Sequence, residues 1–407
     1  AETARALRSR YVLSGTIQGS AGGTGGGTRL TVTLYNAKKG VTDWQETYLI
    51  SSERALDIAR NVHGNVIAKI REQDPEVVPS AIQGGTTVPS AFEQFLRGLD
   101  ADRERGPRYY SRAIDFFREA SRIDPQFAEA YARLALAIAR ALEAGLTDSE
   151  TAPEPLLAEG QKAADRAVAL DSTFALAWLA RGSLLSFPEM NPAAREAFRR
   201  AASIDPRDAE IAWREATGHL RAGRQAEAER RLRDASTLSR RFAPALTELG
   251  LLSVTGRRTD VACDWLNAAI AADPFAAAPY ALRSSARRSY GELRLAWADA
   301  EVASRLGARL LGDAAASLVD LTARDSSRAR ARARWAMREL DRRSRISQLE
   351  ARFLATLFVA LGDRERALRA IDKAFPRDRY LALMLQDDLF RPIARDARFL
   401  RATRLTR

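Results

Sequence analysis

The chain has 407 residues, 46% of them hydrophobic, with 24 Gly and 15 Pro, which is enough apolar material for two or three folded domains and no low-complexity tract. A single cysteine, Cys263, excludes an internal disulfide and a cysteine-rich metal site, and no run approaches about 18 uninterrupted apolar residues. The net charge of +12 lies mostly at the carboxyl end, where residues 305–407 carry 24 Lys and Arg against 13 Asp and Glu.

Residues 1–75 open with two alternating apolar and polar runs, Arg10–Gln18 and Arg29–Ala37, and a third, Thr42–Ile50, that puts Trp44 and Tyr48 on one face. Such alternation predicts half-buried strands. Lys38-Lys39-Gly40 predicts a hairpin turn, with Gly40 free to take positive φ. Ser51 or Ser52 caps an expected helix to about Arg71, whose Leu56, Ala59, Val62, Val66 and Ile70 form one apolar stripe. Residues 76–89, rich in Pro, Gly, Ser and Thr, predict a linker.

From residue 90 to 381 a 34-residue period takes over. Asp171-Ser172, Asp205-Pro206, Ser239-Arg240, Asp273-Pro274, Gly307-Ala308 and Asp341-Arg342 share one register, and Asp124-Pro125 precedes the series by 34 plus a 13-residue insertion near Glu143–Pro155. Small residues recur at fixed places: Ala101, Ala135, Gly182, Ala216, Gly250 and Ser284 in the first helix of each expected pair, and Ala113 and Ala120, Ala194 and Ala201, Ala228 and Ala235, Ala262 and Ala269, Ala296 and Ala303 in the second. Small side chains there permit short interhelical distances. Past Gly307 the pattern loosens through an Arg-rich stretch, then restarts about three residues out of phase with Ala367 and Ala374. Seven to eight pairs are expected. Residues 382–407 are expected to cap the array, with Leu389, Phe390, Ile393, Phe399 and Leu400 covering its last apolar edge.

This period, with Pro at the turns, resembles tetratricopeptide repeats, stacked helix–turn–helix pairs that cannot bury their apolar faces singly. The resemblance implies a mainly α fold, a right-handed superhelical solenoid preceded by a small α/β module. The strand runs RYVLSGTIQ and RLTVTLYNAKKGVTDWQETY resemble the TolB amino-terminal-like domain, which bacteria place before such arrays in regulators, adenylate cyclases and serine/threonine kinases. In that family another strand and helix come first, so the module is expected to be partial, with an output domain or membrane segment upstream.

No catalytic, cofactor or metal site is expected. The Gly-rich run Ser20–Thr28 lacks a following helix and a GK[ST] signature, so it reads as a hairpin loop and not a phosphate loop. His63 and His219 have no partner at metal-ligand spacing, and Cys263 has no neighbouring His. The candidate site is a partner-binding one: Tyr131, Arg133, Trp178, Arg181, Trp213 and Arg214 along the first helices, weighed against ordinary packing within each repeat. Arg328, Arg330, Arg334 and Arg338 form the sharpest charge feature, read as a surface for an acidic partner and weighed against a solvated face and the Arg-rich usage of a GC-rich bacterial genome. Nucleic acid would want aromatic residues interleaved with the basic ones, and only Trp335 is. The expected role is therefore a scaffold or sensory region binding a protein or peptide, the alternative a structural subunit docked in a membrane or envelope assembly. Bacterial cytoplasm and periplasm stay equally open.

Overall fold

The computed structural model describes residues 10–18, 28–50, scattered helical residues between 58 and 72, 85–86, 88–103, 107–144, 153–187, 190–375, 378–386 and 388–403. The Gly-rich run at 20–27, most of the expected linker, the body of the 145–152 insertion and His63 lie outside these residues.

Three strands, β1 (Tyr11–Gln18), β2 (Thr28–Asn36) and β3 (Val41–Ile50), form an antiparallel sheet in sequence order. The pairings Leu13↔Leu34↔Trp44 and Ile17↔Leu30↔Tyr48 put the apolar set on one face, as the period of two requires. Val32 and Leu34 are buried there. The β2–β3 turn is closed by Gly40 at φ 75° and by the Asn36 carbonyl oxygen Oδ1, which accepts from the backbone N–H groups of Lys38 and Lys39, both at 3.1 Å.

Sixteen helices then pair off in order: α1 (Pro89–Arg103) with α2 (Pro107–Ile123), α3 (Ala128–Glu143) with α4 (Pro153–Leu170), α5 (Ala175–Leu185) with α6 (Pro192–Ile204), α7 (Ala209–Arg221) with α8 (Gln225–Leu238), α9 (Ala243–Thr255) with α10 (Thr259–Ala272), α11 (Ala277–Ser289) with α12 (Leu293–Arg305), α13 (Arg309–Thr322) with α14 (Ser326–Arg342), and α15 (Gln348–Ala360) with α16 (Arg364–Asp372). Each pair also packs on its neighbours. Odd helices stack on odd helices in two runs (α3 on α5 and α5 on α7; α9 on α11, α11 on α13 and α13 on α15), giving a tetratricopeptide-like array.

The turns explain the 34-residue register. Asp124, Asp171, Asp205 and Asp273 each accept, through Oδ1, the N–H two residues on, at 2.9–3.1 Å, so a short carboxylate closes four of the even-to-odd turns. The opposite turns, odd to even, need a left-handed residue: Gly223, Gly291 and Gly362 supply it at φ 73–82°. Between helices, the predicted small residues are buried, and Gly182 and Gly250 lie under Phe198 and Leu266 so closely that an added Cβ would come within 2.8 and 2.6 Å.

The Arg-rich stretch where the pattern loosens forms an ordinary pair, α13 with α14; the phase shift arises from the 17-residue α14 and the two-residue strand β4 (Ile346–Ser347) that follows. A sequence expectation is corrected just beyond it. Ala374 is not in a helix, since α16 ends at Asp372 and Ala374–Phe375 is β5, parallel to β4. After it come α17 (Arg379–Met384), a 3-10 turn (Asp388–Ile393) and α18 (Ala397–Thr403). Phe390, Ile393 and Phe399 are buried against α15 and α16, whereas Leu389 is 46% exposed.

Candidate partner-binding surface

The surface of the odd helices carries charge in an unusual place. Glu143, the last residue of α3, receives Arg214 Nη1 at 2.9 Å and Arg221 Nη2 at 2.6 Å, both from α7. Burial works against its charge, but the two guanidiniums outweigh that and hold its carboxyl below the usual range. Arg214 is 2% exposed and Arg221 4%. Arg221 also donates to Ser186 Oγ at 2.9 Å and lies 3.9 Å from the Phe187 ring centroid. The same two helices carry a second set, where Arg140 of α3 bridges Asp102 of α1 and Glu210 of α7.

Onto this charged strip folds the segment after β5. Asp378 places Oδ2 3.8 Å from Arg221 Nε, takes Gln348 Nε2 at 2.8 Å on its other oxygen, and caps α17 by accepting from the N–H groups of Tyr380 and Leu381. The Tyr380 hydroxyl donates to Glu248 on α9, 132 residues away in sequence. Arg379 lies over Gly223, where a Cβ would meet its Cδ at 2.9 Å. Burial pushes the Asp378 carboxyl up to about 6 and that of Glu248 up to about 7, with Glu143 adding to the latter and Tyr380 and Arg221 opposing it. The middle of the odd-helix surface is thus occupied by the chain's own short helix.

The residues picked from sequence scatter around this core. The Trp178 indole donates to Ser172 O at 2.8 Å and the Tyr131 hydroxyl to Ser121 O at 3.4 Å, each tying a helix to the turn or helix just before it. Trp213 packs edge-on against Phe242, with the Arg214 guanidinium 4.4 Å from its ring centroid. Arg133 pairs with Glu129 and Arg181 with Asp165, both part-exposed. Arg328 rests over Trp297 near Asp320 on the inner side of α14, while Arg330, Arg334 and Arg338 form an exposed stripe on its outer side with no ion pair among the described residues.

His219 is buried with Nε2 3.8 Å from Glu215, and burial pushes the half-buried Cys263 thiol up, the opposite of what a nucleophile needs. Among the described residues no helix is long and apolar enough to cross a membrane.

Sequence reasoning missed Glu143, Arg221, Glu248, Asp378 and Tyr380. Their partners across the surface lie 71 or more residues away, a separation no local period reports.

No protein-family model matches the chain, and no curated protein does. Solved structures of similar fold include yeast Tom70 (12% identity over 84% of this chain and 71% of that one, TM-score 0.48) and Pseudomonas aeruginosa PilF (17%, 52% and 91%, TM-score 0.43). Another is YrrB, a tetratricopeptide protein with an unusual peptide-binding site (18%, 48% and 95%, TM-score 0.31). These likenesses are to the fold alone, and the assignment of the array rests on its own helix pairs and turns.

Proposed function

We propose that the chain is a non-catalytic, partner-binding region of a bacterial regulatory protein, and that the odd-helix surface receives a short segment of its partner. The observation that supports this is α17. A six-residue helix with an acidic cap, Asp378, and an aromatic hydroxyl, Tyr380, is held on α7 and α9 through Arg221 and Glu248. A surface that holds such a segment in cis has the chemistry to hold one in trans, with the array's pre-formed geometry limiting the ordering cost. The sheet, resembling the TolB amino-terminal-like module, fits a regulator or kinase whose sensory half this would be.

The test is site-specific photocrosslinking in cells. Crosslinkers at Thr247 and Thr255, on α9, should trap one partner, and at Arg330 and Arg334, on the outer side of α14, should trap none. The reverse pattern would move the site to the Arg stripe and overturn the reading.

A second reading, a subunit docked permanently in a larger assembly, is favoured by one observation. The edge strand β1 leaves Leu13 and Ile17, 51% and 68% exposed, on the sheet's apolar face. A monodisperse monomer on size-exclusion chromatography supports the regulator; aggregation relieved by one specific partner supports the subunit.

A further inference from the structure

The surface that receives α17 is organised without it. Arg221 donates to Glu143 at 2.6 Å and to Ser186 Oγ at 2.9 Å, and its guanidinium lies 3.9 Å from the Phe187 ring centroid. Groups at the ends of α3 and α5 therefore aim this cation, whether or not the carboxyl-terminal segment is docked. Its Nε faces α17 and stands 3.8 Å from Asp378 Oδ2, beyond hydrogen-bond distance. Glu248, which takes the Tyr380 hydroxyl, likewise belongs to the array, on α9.

The fit of α17 itself is incomplete. Asp378 is 4% exposed, and its hydrogen bonds from Gln348 Nε2, Tyr380 N and Leu381 N, at 2.8–3.2 Å, all fall on Oδ1. Oδ2, the oxygen turned to Arg221, is buried with no hydrogen-bond partner among the described residues. An unmet carboxylate oxygen beside a fixed guanidinium marks a contact that a better-placed carboxylate improves. With six residues, α17 is also too short to hold its helix without the surface under it.

We propose that α17 is a stand-in for the partner: the partner segment presents the same pair, a carboxylate capping a helix start and an aromatic hydroxyl two residues on, and displaces α17 to reach Arg221 and Glu248. This rests on the odd-helix surface being the partner site, and it makes access to that site conditional on α17 leaving. A carboxylate placed about 1 Å nearer Arg221 gains the charge-assisted hydrogen bond that Asp378 lacks. That gain lets a segment in trans displace one held in cis.

A labelled synthetic peptide of residues 374–386, measured against the full chain by fluorescence polarisation, tests this. In the parent, the chain's own segment competes at a local concentration on the order of millimolar, so the peptide binds weakly. Asp378→Asn combined with Tyr380→Phe in the chain loosens that segment and leaves the receiving residues intact, and peptide affinity should rise at least tenfold. Arg221→Gln added to this variant should undo the gain, and so should Asp378→Asn with Tyr380→Phe made in the peptide. On the parent chain, whose fold is not in question, excess heavy-isotope peptide should speed hydrogen exchange in the chain's own residues 379–384. Equal peptide affinity in parent and variant, affinity indifferent to Arg221→Gln or to the peptide's Asp and Tyr, or unchanged exchange in the parent would overturn the proposal. A partner trapped at Thr247 and Thr255 alongside such a failure would leave the partner surface standing and remove only the mimicry.

Discussion

Glu248 shows how one residue can set the pH response of a surface. Its carboxyl rises from an ordinary 4.5 to about 7, chiefly because burial takes it out of water, against the lowering pull of the Tyr380 hydroxyl. A carboxyl raised by folding keeps a proton that the unfolded chain has lost, so its contribution is fully present below about pH 4.5 and fades as pH climbs through 7. Asp378, raised from 3.8 to about 6, acts in the same sense at slightly lower pH. Melting temperature should therefore fall between pH 5 and pH 8. Glu248→Gln, which keeps an acceptor for Tyr380 without the charge, should flatten that slope and stabilise the protein at pH 8 by about 1–3 kcal/mol. A variant whose melting curve tracks the parent at every pH would contradict this.

Arg221 works in the other direction, as the cation shared by Glu143, Ser186 and the Asp378 cap. Arg221→Ala leaves buried carboxylates without their partner, a loss of about 3–5 kcal/mol in urea unfolding. Limited proteolysis should then cut within 376–387 faster than in the parent. Neither Arg214 nor Arg221 announces its burial in sequence. In a chain where nearly all of the 64 basic residues are Arg, a buried one looks like every other.

At the scale of the helix pair, packing depends on what is missing from certain side chains. Gly250→Ala would push a methyl to 2.6 Å from Leu266, which is fully buried and has nowhere to move, so a destabilisation of about 1–3 kcal/mol is expected by thermal unfolding. At Gly307, by contrast, nothing lies within 4 Å of an added Cβ, so Gly307→Ala should cost only the backbone strain of its φ of 91°, about 1 kcal/mol. Helix pairs of this kind were legible because they are built from local signals: an Asp closing four of the turns between pairs, a left-handed residue closing turns within them, and a small residue where helices cross. Ala374 misled because the same small residue serves a two-residue strand as well as a helix. The pairing of α13 with α14 was obscured by Arg side chains that stand on the outer side of α14 and leave Ala329, Ala333 and Ala336 on its buried face.

Across the whole molecule, the array's buried core divides into two clusters that meet at α7, and the carboxyl-terminal segment reaches back to that helix. The burial of Phe390, Ile393 and Phe399 against the last pair was legible, since apolar residues recur where an open stack would otherwise expose its end. The docking of α17 was not. Occupying the odd-helix surface depends on how far the stack curves before residue 378, and curvature accumulates from small rotations at each pair that no single repeat encodes. The account stands on that docking. With p-benzoylphenylalanine at position 380 of the full chain, irradiation followed by peptide mass spectrometry should give an intramolecular cross-link into Ala243–Thr255, the helix that carries Glu248. Cross-links confined to neighbouring residues of the carboxyl-terminal segment, or formed only between chains, would show that the segment does not occupy this surface.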